Sequence, residues 1–455
     1  MYPEVKISTH LIIPKSELKG SIRNARRKFT AVSAYNDEEI PTYIEFEKHF
    51  GVPLYYYPNW SKIAKTVTDL RMNGSLLNYD FLSTLRPGQE ALLDRFERYL
   101  AAGKTGFLVE APPGFGKTVC IIKMMQLLRR SALVVVPRQN LVEQWKERLI
   151  EHTSLKAANI GTASGGKATW KGRSVCVGLV HTLGLDRFGD AFKNNWGTIV
   201  FDEVDRSVPP ATFAPVVGMF PAKFRIGASA TVKRKDGLHT ILESHIAQVK
   251  LKGIDEGRMK PKVLIVDFPQ SSGYVHPQSQ KLNRRGMLLS RLAKNVKRNL
   301  VLARYIHLIY KSGRRCLVVS DRTEQLVNLR KLFHKMYNVG FNETGYYCDS
   351  ITVDGKKAKV SAQHLDFAAS ACKVIWATYG KIAIGTDIKD LAGLVYATPQ
   401  SDVTQTQGRI ERAMDGKQQP VVVDIVDSNY QDAVNWARQR ERYYRSKSLL
   451  IKEVS

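Results

Sequence analysis

The sequence predicts an α/β protein with two parallel-sheet domains in tandem and a small α+β domain before them. Three observations predict it. From residue 81 onward, apolar runs of strand length alternate with helical patterns. That alternation starts twice, with a basic stretch from Lys233 to Lys262 between the two series. The run Gly106-Phe107-Leu108-Val109 leads through a glycine-bearing turn into the helical pattern that starts at Val119, the order of a ligand-holding strand–turn–helix unit. A length of 455 residues suits two or three domains, since one domain usually holds about 100–200 residues. The expected boundaries are 1–80, 81–258 and 259–455.

Residues 1–80 carry no catalytic motif. Val5 and Ile7 alternate with polar residues, Leu11, Ile12 and Ile13 follow, and Pro14 stops the run, so one strand is expected from Val5 to Ile13. Lys15, Lys19, Arg23, Arg26, Arg27 and Lys28 come next, opposed by Glu17. Tyr43, Phe46, Phe50 and the stretch Tyr55–Trp60 add aromatics. Basic residues interleaved with aromatics suit phosphate contact and base stacking. The same aromatics equally suit the core of a small mixed domain.

In the first α/β series, Leu85-Arg86-Pro87-Gly88-Gln89 precedes a helix expected from Ala91 to Leu100. A glutamine pairs a donor with an acceptor and can read an adenine edge. Gln89 and its neighbour Arg86 are therefore candidates for contact with a nucleotide. In Ala111-Pro112-Pro113-Gly114-Phe115-Gly116-Lys117-Thr118, Gly114 and Gly116 let backbone N–H groups wrap an oligophosphate at a helix N-terminus. Lys117 can reach the β/γ-phosphates, and the Thr118 hydroxyl can ligate Mg²⁺. Ala111 stands where a strict phosphate loop has its first glycine. Leu133–Val136 reads as a strand closed by Pro137, with Gln144 and Trp145 on the helix beyond; Ser174–Val180 is a third strand, ending at His181 and Thr182. The run Ile199-Val200-Phe201 ends in Asp202, Glu203 and, after Val204, Asp205. Carboxyl ends of parallel strands are where α/β sheets hold ligands. There Asp202 can hold Mg²⁺ through its water shell, and Glu203 can orient and deprotonate a water. Phe224–Ala228 then leads to Ser229-Ala230-Thr231.

In the second series Val263–Val266, Arg315–Ser320 and Lys373–Thr378 read as strands. One long helix is expected from Met287 to Tyr310, with Arg291, Lys294, Lys297 and Arg298 forming either a solvated face or phosphate contacts. Gly385-Thr386-Asp387 follows the strand at Lys373. In Gln405-Thr406-Gln407-Gly408-Arg409-Ile410-Glu411-Arg412, the two arginines are expected on one helical face. Two such guanidiniums can neutralise a transferring phosphoryl group, or simply pair across a surface helix.

The formal net charge of +27 points to a polyanionic partner. Residues 1–80 hold 11 basic and 9 acidic residues, 81–258 hold 26 and 16, and 259–455 hold 32 and 17. The positive field therefore belongs to the two α/β series. Five cysteines without a Cys-x-x-Cys spacing argue against a disulfide framework or a zinc site and for a reducing compartment. No apolar run reaches the ~18 residues of a membrane span, so a soluble, intracellular, cytoplasmic protein is expected.

Taken in order, Gln89, the Gly-Lys-Thr loop, Pro137 with Gln144, Asp202-Glu203-Val204-Asp205, Ser229-Ala230-Thr231, Gly385-Thr386-Asp387 and the run from Gln405 to Arg412 resemble the motif series of superfamily 2 helicases. The likeness covers residues 81–425 and is nearest the XPB, RecG and restriction-motor branch, including phage branch-migration helicases of the UvsW type. Arg234-Lys235-Asp236-Gly237 and the opening Gln405 carry that branch assignment. Asp205 departs from it, because DNA helicases of the branch more often have histidine there, and Asp-Glu-x-Asp is shared with DEAD-box RNA helicases. The resemblance implies two RecA-like domains that clamp ATP and Mg²⁺. It implies nucleotide contacts from Arg86, Gln89, Gly114, Gly116, Lys117, Thr118, Gly385 and Asp387, with Thr118 and Asp202 at the ion. Catalytic roles fall to Lys117, Asp202, Glu203, Gln405, Arg409 and Arg412. Pro137, Gln144, His181, Thr182, Ser229 and Thr231 would couple the site to a nucleic-acid track. The implied partner is branched, forked or single-stranded DNA rather than RNA, engaged by a monomer.

Overall fold

The computed structural model describes residues 2–18, 20–32, 39–57, 60–203, 210–229, 244–254, 257–269, 284–353, 355–383, 388–414 and 416–454. The chain divides into two compact units, Met1–Asp255 and Glu256–Ser455. No described helix is long and apolar enough to cross a membrane.

The first unit contains two main sheets. The N-terminal sheet has five strands in the order Ile44–Glu45, His49–Pro53, His10–Pro14, Tyr2–Ile7 and Ala64–Asp69. The single strand expected from Val5 to Ile13 is instead a hairpin: Ile7 pairs with Leu11, and Ser8 N–H bonds the His10 carbonyl at 2.9 Å. Ser8 and Thr9 interrupt the apolar alternation, and small hydroxyl residues favour such turns. Val5, Ile7, Leu11, Ile13, Phe50 and Val52 form this sheet's core.

Several aromatics of this module are structural, while Phe46 and Tyr56 are exposed. Tyr55 is 4% exposed, its N–H bonds the Ser244 carbonyl at 2.7 Å and its hydroxyl meets Thr105 Oγ1 at 3.2 Å. Trp60 stacks on Tyr55 and lies under the Arg71 guanidinium, 5.0 Å from its ring centre. Arg71 in turn donates to Thr105 Oγ1 and to the Lys223 carbonyl. Tyr55 and Trp60 fasten the module to the α/β body and are not available to stack bases. The basic run is partly neutralised as well, because Lys15 and Arg26 both pair with Glu45 at 2.8 Å. Arg23 and Arg27 stay exposed, one helical turn apart.

The second sheet has eight strands, ordered Lys167–Thr169, Ile160–Ser164, Val175–Leu179, Ala132–Val136, Thr198–Phe201, Phe224–Ser229, Gly106–Glu110 and Val249–Lys252. Every pairing is parallel except that of the first two strands. Its central strands are buried on both faces, as their unbroken apolar runs require. The last strand corrects the expected linker from Lys233 to Lys262. Val249 and Leu251 alternate with Lys250 and Lys252, a short edge pattern hidden among lysines.

The second unit has seven parallel strands, ordered Thr344–Tyr347, Val374–Thr378, Arg315–Ser320, Leu391–Tyr396, Val421–Val426, Lys262–Asp267 and Leu450–Val454. The helix expected from Met287 to Tyr310 is broken. Arg284–Lys294 and Val296–Lys311 meet at Asn295, whose side chain caps the second helix by accepting from Arg298 N–H. Arg298 belongs neither to a solvated face nor to a phosphate track. It is fully buried, donates to Asp427 Oδ1 at 2.8 Å and also bonds the Ala397 carbonyl. Removing one partner of a buried ion pair costs about 3–5 kcal/mol. Arg298→Ala is therefore expected to lower stability by that order in urea unfolding, whereas exchange of the exposed Lys297 leaves it unchanged.

Candidate nucleotide site and motor motifs

Topology brings the first unit's motifs together. The strands Thr198–Phe201, Phe224–Ser229 and Gly106–Glu110 are neighbours, in parallel register, and all end on one side of the sheet. Asp202 with Glu203, Ser229, and the glycine-bearing turn therefore leave three adjacent strand ends. Ala111 N–H bonds the Ser229 carbonyl at 3.2 Å, and Asp202 N–H bonds the Val135 carbonyl at 3.0 Å.

The turn is shaped as a phosphate cradle. Gly114 and Gly116 have φ of +85° and +86°, and Gly116 caps the helix Lys117–Leu128. Only glycine enters that backbone region without strain. Lys117 Nζ donates to the Ala111 carbonyl at 2.8 Å. Ala111, in place of the usual first glycine, is 1% exposed. Gly253 makes room for it, since a Cβ there would lie 2.6 Å from the Ala111 methyl and 2.8 Å from the Phe115 ring. This matched Ala111–Gly253 pair was not legible, because the two lie far apart in sequence.

Arg86 and Gln89 brace the same turn. Gln89 is 4% exposed; its Oε1 accepts Arg86 N–H at 2.9 Å and its Nε2 donates to the Phe115 carbonyl at 2.8 Å. Arg86 Nη2 donates to the Gly114 carbonyl at 3.2 Å and also to the Phe115 carbonyl. The helix here begins at Pro87, earlier than the expected Ala91, because proline suits the first helical position. Burial raises the Cys120 thiol to about 12, so it adds no charge behind the cradle.

Asp202 is held from both sides. Its Oδ1 accepts Glu203 N–H at 2.9 Å, and its Oδ2 accepts the Trp145 indole N–H at 2.7 Å. Glu203 has φ of +51°, a left-handed conformation that non-glycine residues adopt at a cost and mostly at functional turns. The residues fit ATP and Mg²⁺ on these grounds: glycine-shaped cradle, lysine at its mouth, hydroxyl of Thr118 on the helix, and a clamped carboxylate.

The remaining first-unit candidates sit on the same sheet. Pro137 ends the strand Ala132–Val136 and is buried, and Gln144 lies half-buried on the helix Gln139–His152. His181 is exposed and Thr182 buried on the short helix Val180–Leu183, which replaces the end of the expected strand. Ser229 is 2% exposed. Asp205, Thr231, Arg234–Gly237, Gly385 and Asp387 lie outside the described residues.

In the second unit, Gln405 and Arg409 lie on the helix Thr404–Ile410. Arg409 is 8% exposed and donates from Nη2 to the Ile382 carbonyl at 3.1 Å. Arg412 is not on that helix, which corrects the expected shared face. The chain leaves the helix because Lys417 Nζ takes the carbonyls of Ile410 and Arg412, at 2.7 and 2.6 Å. Glu411 between them is pinned by Arg258, by Gln407 and, through its carbonyl, by Met259 N–H. Burial, with Arg412 adding to it, brings Lys417 down to about 8.

Comparison with known proteins agrees with this motif order. The family described as "Type III restriction enzyme, res subunit" matches residues 82–234. A protein of Acanthamoeba polyphaga mimivirus, named among the ATP-dependent RNA helicases, is 24% identical over 427 residues, covering 92% of this chain and 78% of its own. A Halobacterium salinarum protein named as the DNA 3'-5' helicase Rad25 is 38% identical over 165 residues. That match covers 36% of this chain, which spans only 26% of the relative. The fold is shared with the Type ISP restriction-modification enzyme LlaBIII, at a TM-score of 0.55 and 14% identity over 82% of this chain and 32% of that one. The match over residues 82–234 and the likeness to the XPB/Rad25 proteins support a superfamily 2 helicase, a nucleic-acid-dependent ATPase, of the branch that includes the restriction-enzyme motors.

Proposed function

We propose that this protein is an ATP-driven DNA helicase or translocase acting on forked and junction DNA. The observation that carries the reading is the convergence of the cradle, Asp202-Glu203 and Ser229 on three adjacent strand ends. In this reading the backbone N–H groups of the cradle and Lys117 bind the ATP phosphates. Thr118 and, through water, Asp202 hold Mg²⁺, which neutralises phosphate charge when bound. Glu203 orients the attacking water and takes its proton. Arg409 and Arg412 would offset the charge that develops on the transferring phosphoryl group. Gln405 supports them, Gly385 and Asp387 contact the nucleotide, and Gln144, His181, Thr182, Ser229 and Thr231 couple turnover to the nucleic acid.

The positive excess beyond residue 80 supports contact with phosphates rather than with base edges. Affinity for duplex DNA is expected to fall with salt at a log–log slope of about −0.9 per phosphate contact, with little sequence preference. Fluorescence anisotropy on unrelated sequences at several salt concentrations checks it; a shallow slope with strong sequence discrimination contradicts it. Junction preference would come from the N-terminal module, where Arg23 and Arg27 are among the exposed basic residues. The second reading, an RNA helicase, is favoured by the name of the mimivirus relative, which matches most of the chain. Unwinding of matched DNA and RNA forks separates the two.

A further inference from the structure

We propose that Trp145 is the positioning residue that sets the Asp202 carboxylate and transmits nucleic-acid binding to the ion site. This rests on the nucleotide-site reading given above and adds the route by which nucleic acid stimulates turnover.

The indole of Trp145 is 2% exposed and sits in the first unit's core, yet its N–H is directed at a carboxylate oxygen, 2.7 Å away. Packing alone does not impose such a bond. Trp196 and Trp376 are equally buried, and their indole nitrogens have no hydrogen-bond partner among the described residues. A charge-assisted hydrogen bond is roughly twice as strong as a neutral one. Together with Glu203 N–H on the other oxygen, it fixes the plane of the Asp202 carboxylate. Groups bonded to metal-site carboxylates typically change metal affinity by about 10–100-fold when removed.

The helix that carries Trp145 is well placed to feel a bound strand. It runs from Gln139 to His152 and follows Pro137 at the carboxyl end of the strand Ala132–Val136. That strand is the direct neighbour of Thr198–Phe201, which delivers Asp202. Leu141, Val142, Trp145 and Leu149 face the core, while Gln144, next to the indole, is half-buried on the polar side. A strand contact on that polar side that shifts the helix moves the indole N–H relative to Asp202. Misplacement by 1 Å in such a site can cost about 100-fold in rate.

The test is a Mg²⁺ titration of a fluorescent non-hydrolysable ATP analogue bound to the full chain, with and without a single-stranded DNA oligonucleotide. In wild type, the oligonucleotide is expected to lower the Mg²⁺ midpoint. Trp145→Phe keeps an aromatic ring and removes the N–H. Its midpoint is expected to rise about 10–100-fold and no longer respond to the oligonucleotide, while oligonucleotide affinity is retained. Leu155→Ala, which loosens the same core but lies off that helix, is expected to keep the wild-type midpoint and response. A Trp145→Phe protein with the wild-type midpoint and response overturns the proposal, as does a Leu155→Ala protein that loses both. Should Trp145→Phe fail to fold, the Trp145 indole N–H resonance of wild type decides by NMR: it moves when Mg²⁺ and the analogue are added together, and a fixed resonance overturns the link. Wild-type protein that binds no analogue at any Mg²⁺ concentration removes the nucleotide site itself.

Discussion

Glu203→Gln is expected to abolish ATP turnover while leaving ATP binding intact, and Lys117→Ala is expected to abolish turnover while weakening ATP binding. The two residues act at different points. Glu203 lies two residues beyond a buried strand, in a left-handed turn whose N–H is tied to Asp202. Glutamine keeps that length and that turn but cannot take a proton from water, and a positioned general base contributes about 10²–10⁴-fold. Lys117 opens the cradle helix, where its ammonium now rests on the Ala111 carbonyl. Each charged hydrogen bond it transfers to a phosphate contributes about 1.5–3 kcal/mol, so its loss weakens nucleotide affinity at least about 10-fold. Equilibrium binding of a labelled ATP analogue, beside a phosphate-release assay, separates the two outcomes. Near-normal turnover in either variant contradicts the assigned roles.

Arg409→Ala and Arg412→Ala are each expected to lower the turnover rate about 10³–10⁵-fold, the range of an arginine finger, with ATP and DNA affinity preserved. Their surroundings differ, so the two variants report different things. Arg409 is nearly buried and bonded to the Ile382 carbonyl, so its removal also disturbs packing, and a thermal melt must accompany the assay. Arg412 lies past the helix end, where Lys417 holds its carbonyl, and its side chain can change without breaking the Thr404–Ile410 helix. Arg412→Lys keeps the charge but not the planar fork and is expected to recover little activity. Loss of DNA affinity with an unchanged rate on saturating DNA would make these residues track contacts instead.

The parts of this fold that were legible are those whose signal is local. A glycine pair followed by Lys117 and Thr118 forces one turn geometry, and an apolar run ending in Asp202 and Glu203 forces one strand end. Both appear where the sequence placed them. What escaped depends on partners distant in the chain. Arg298 read as a surface charge because its neighbours Lys294 and Lys297 are exposed; only Asp427 explains its burial. Arg409 and Arg412 have the spacing of one helical face, but Lys417 and Arg258 end the helix between them. The strands Leu391–Tyr396 and Val421–Val426 carry no motif that marks them in the sequence. Trp145 was placed on its helix but not in the site, since an indole carries no catalytic signature until its acceptor is seen.

An ATPase driven by nucleic acid and directed to DNA is distinguished from its alternatives by its nucleic-acid dependence. Steady-state ATP hydrolysis by the full chain is recorded without nucleic acid and on single-stranded, duplex, forked and four-way-junction DNA, with sequence-matched RNA in parallel. Hydrolysis is expected to be low alone, to rise steeply on DNA, to be highest on branched substrates, and to be weaker on RNA. Hydrolysis indifferent to nucleic acid would contradict the motor, and stimulation by RNA in preference to DNA would contradict its assignment to DNA.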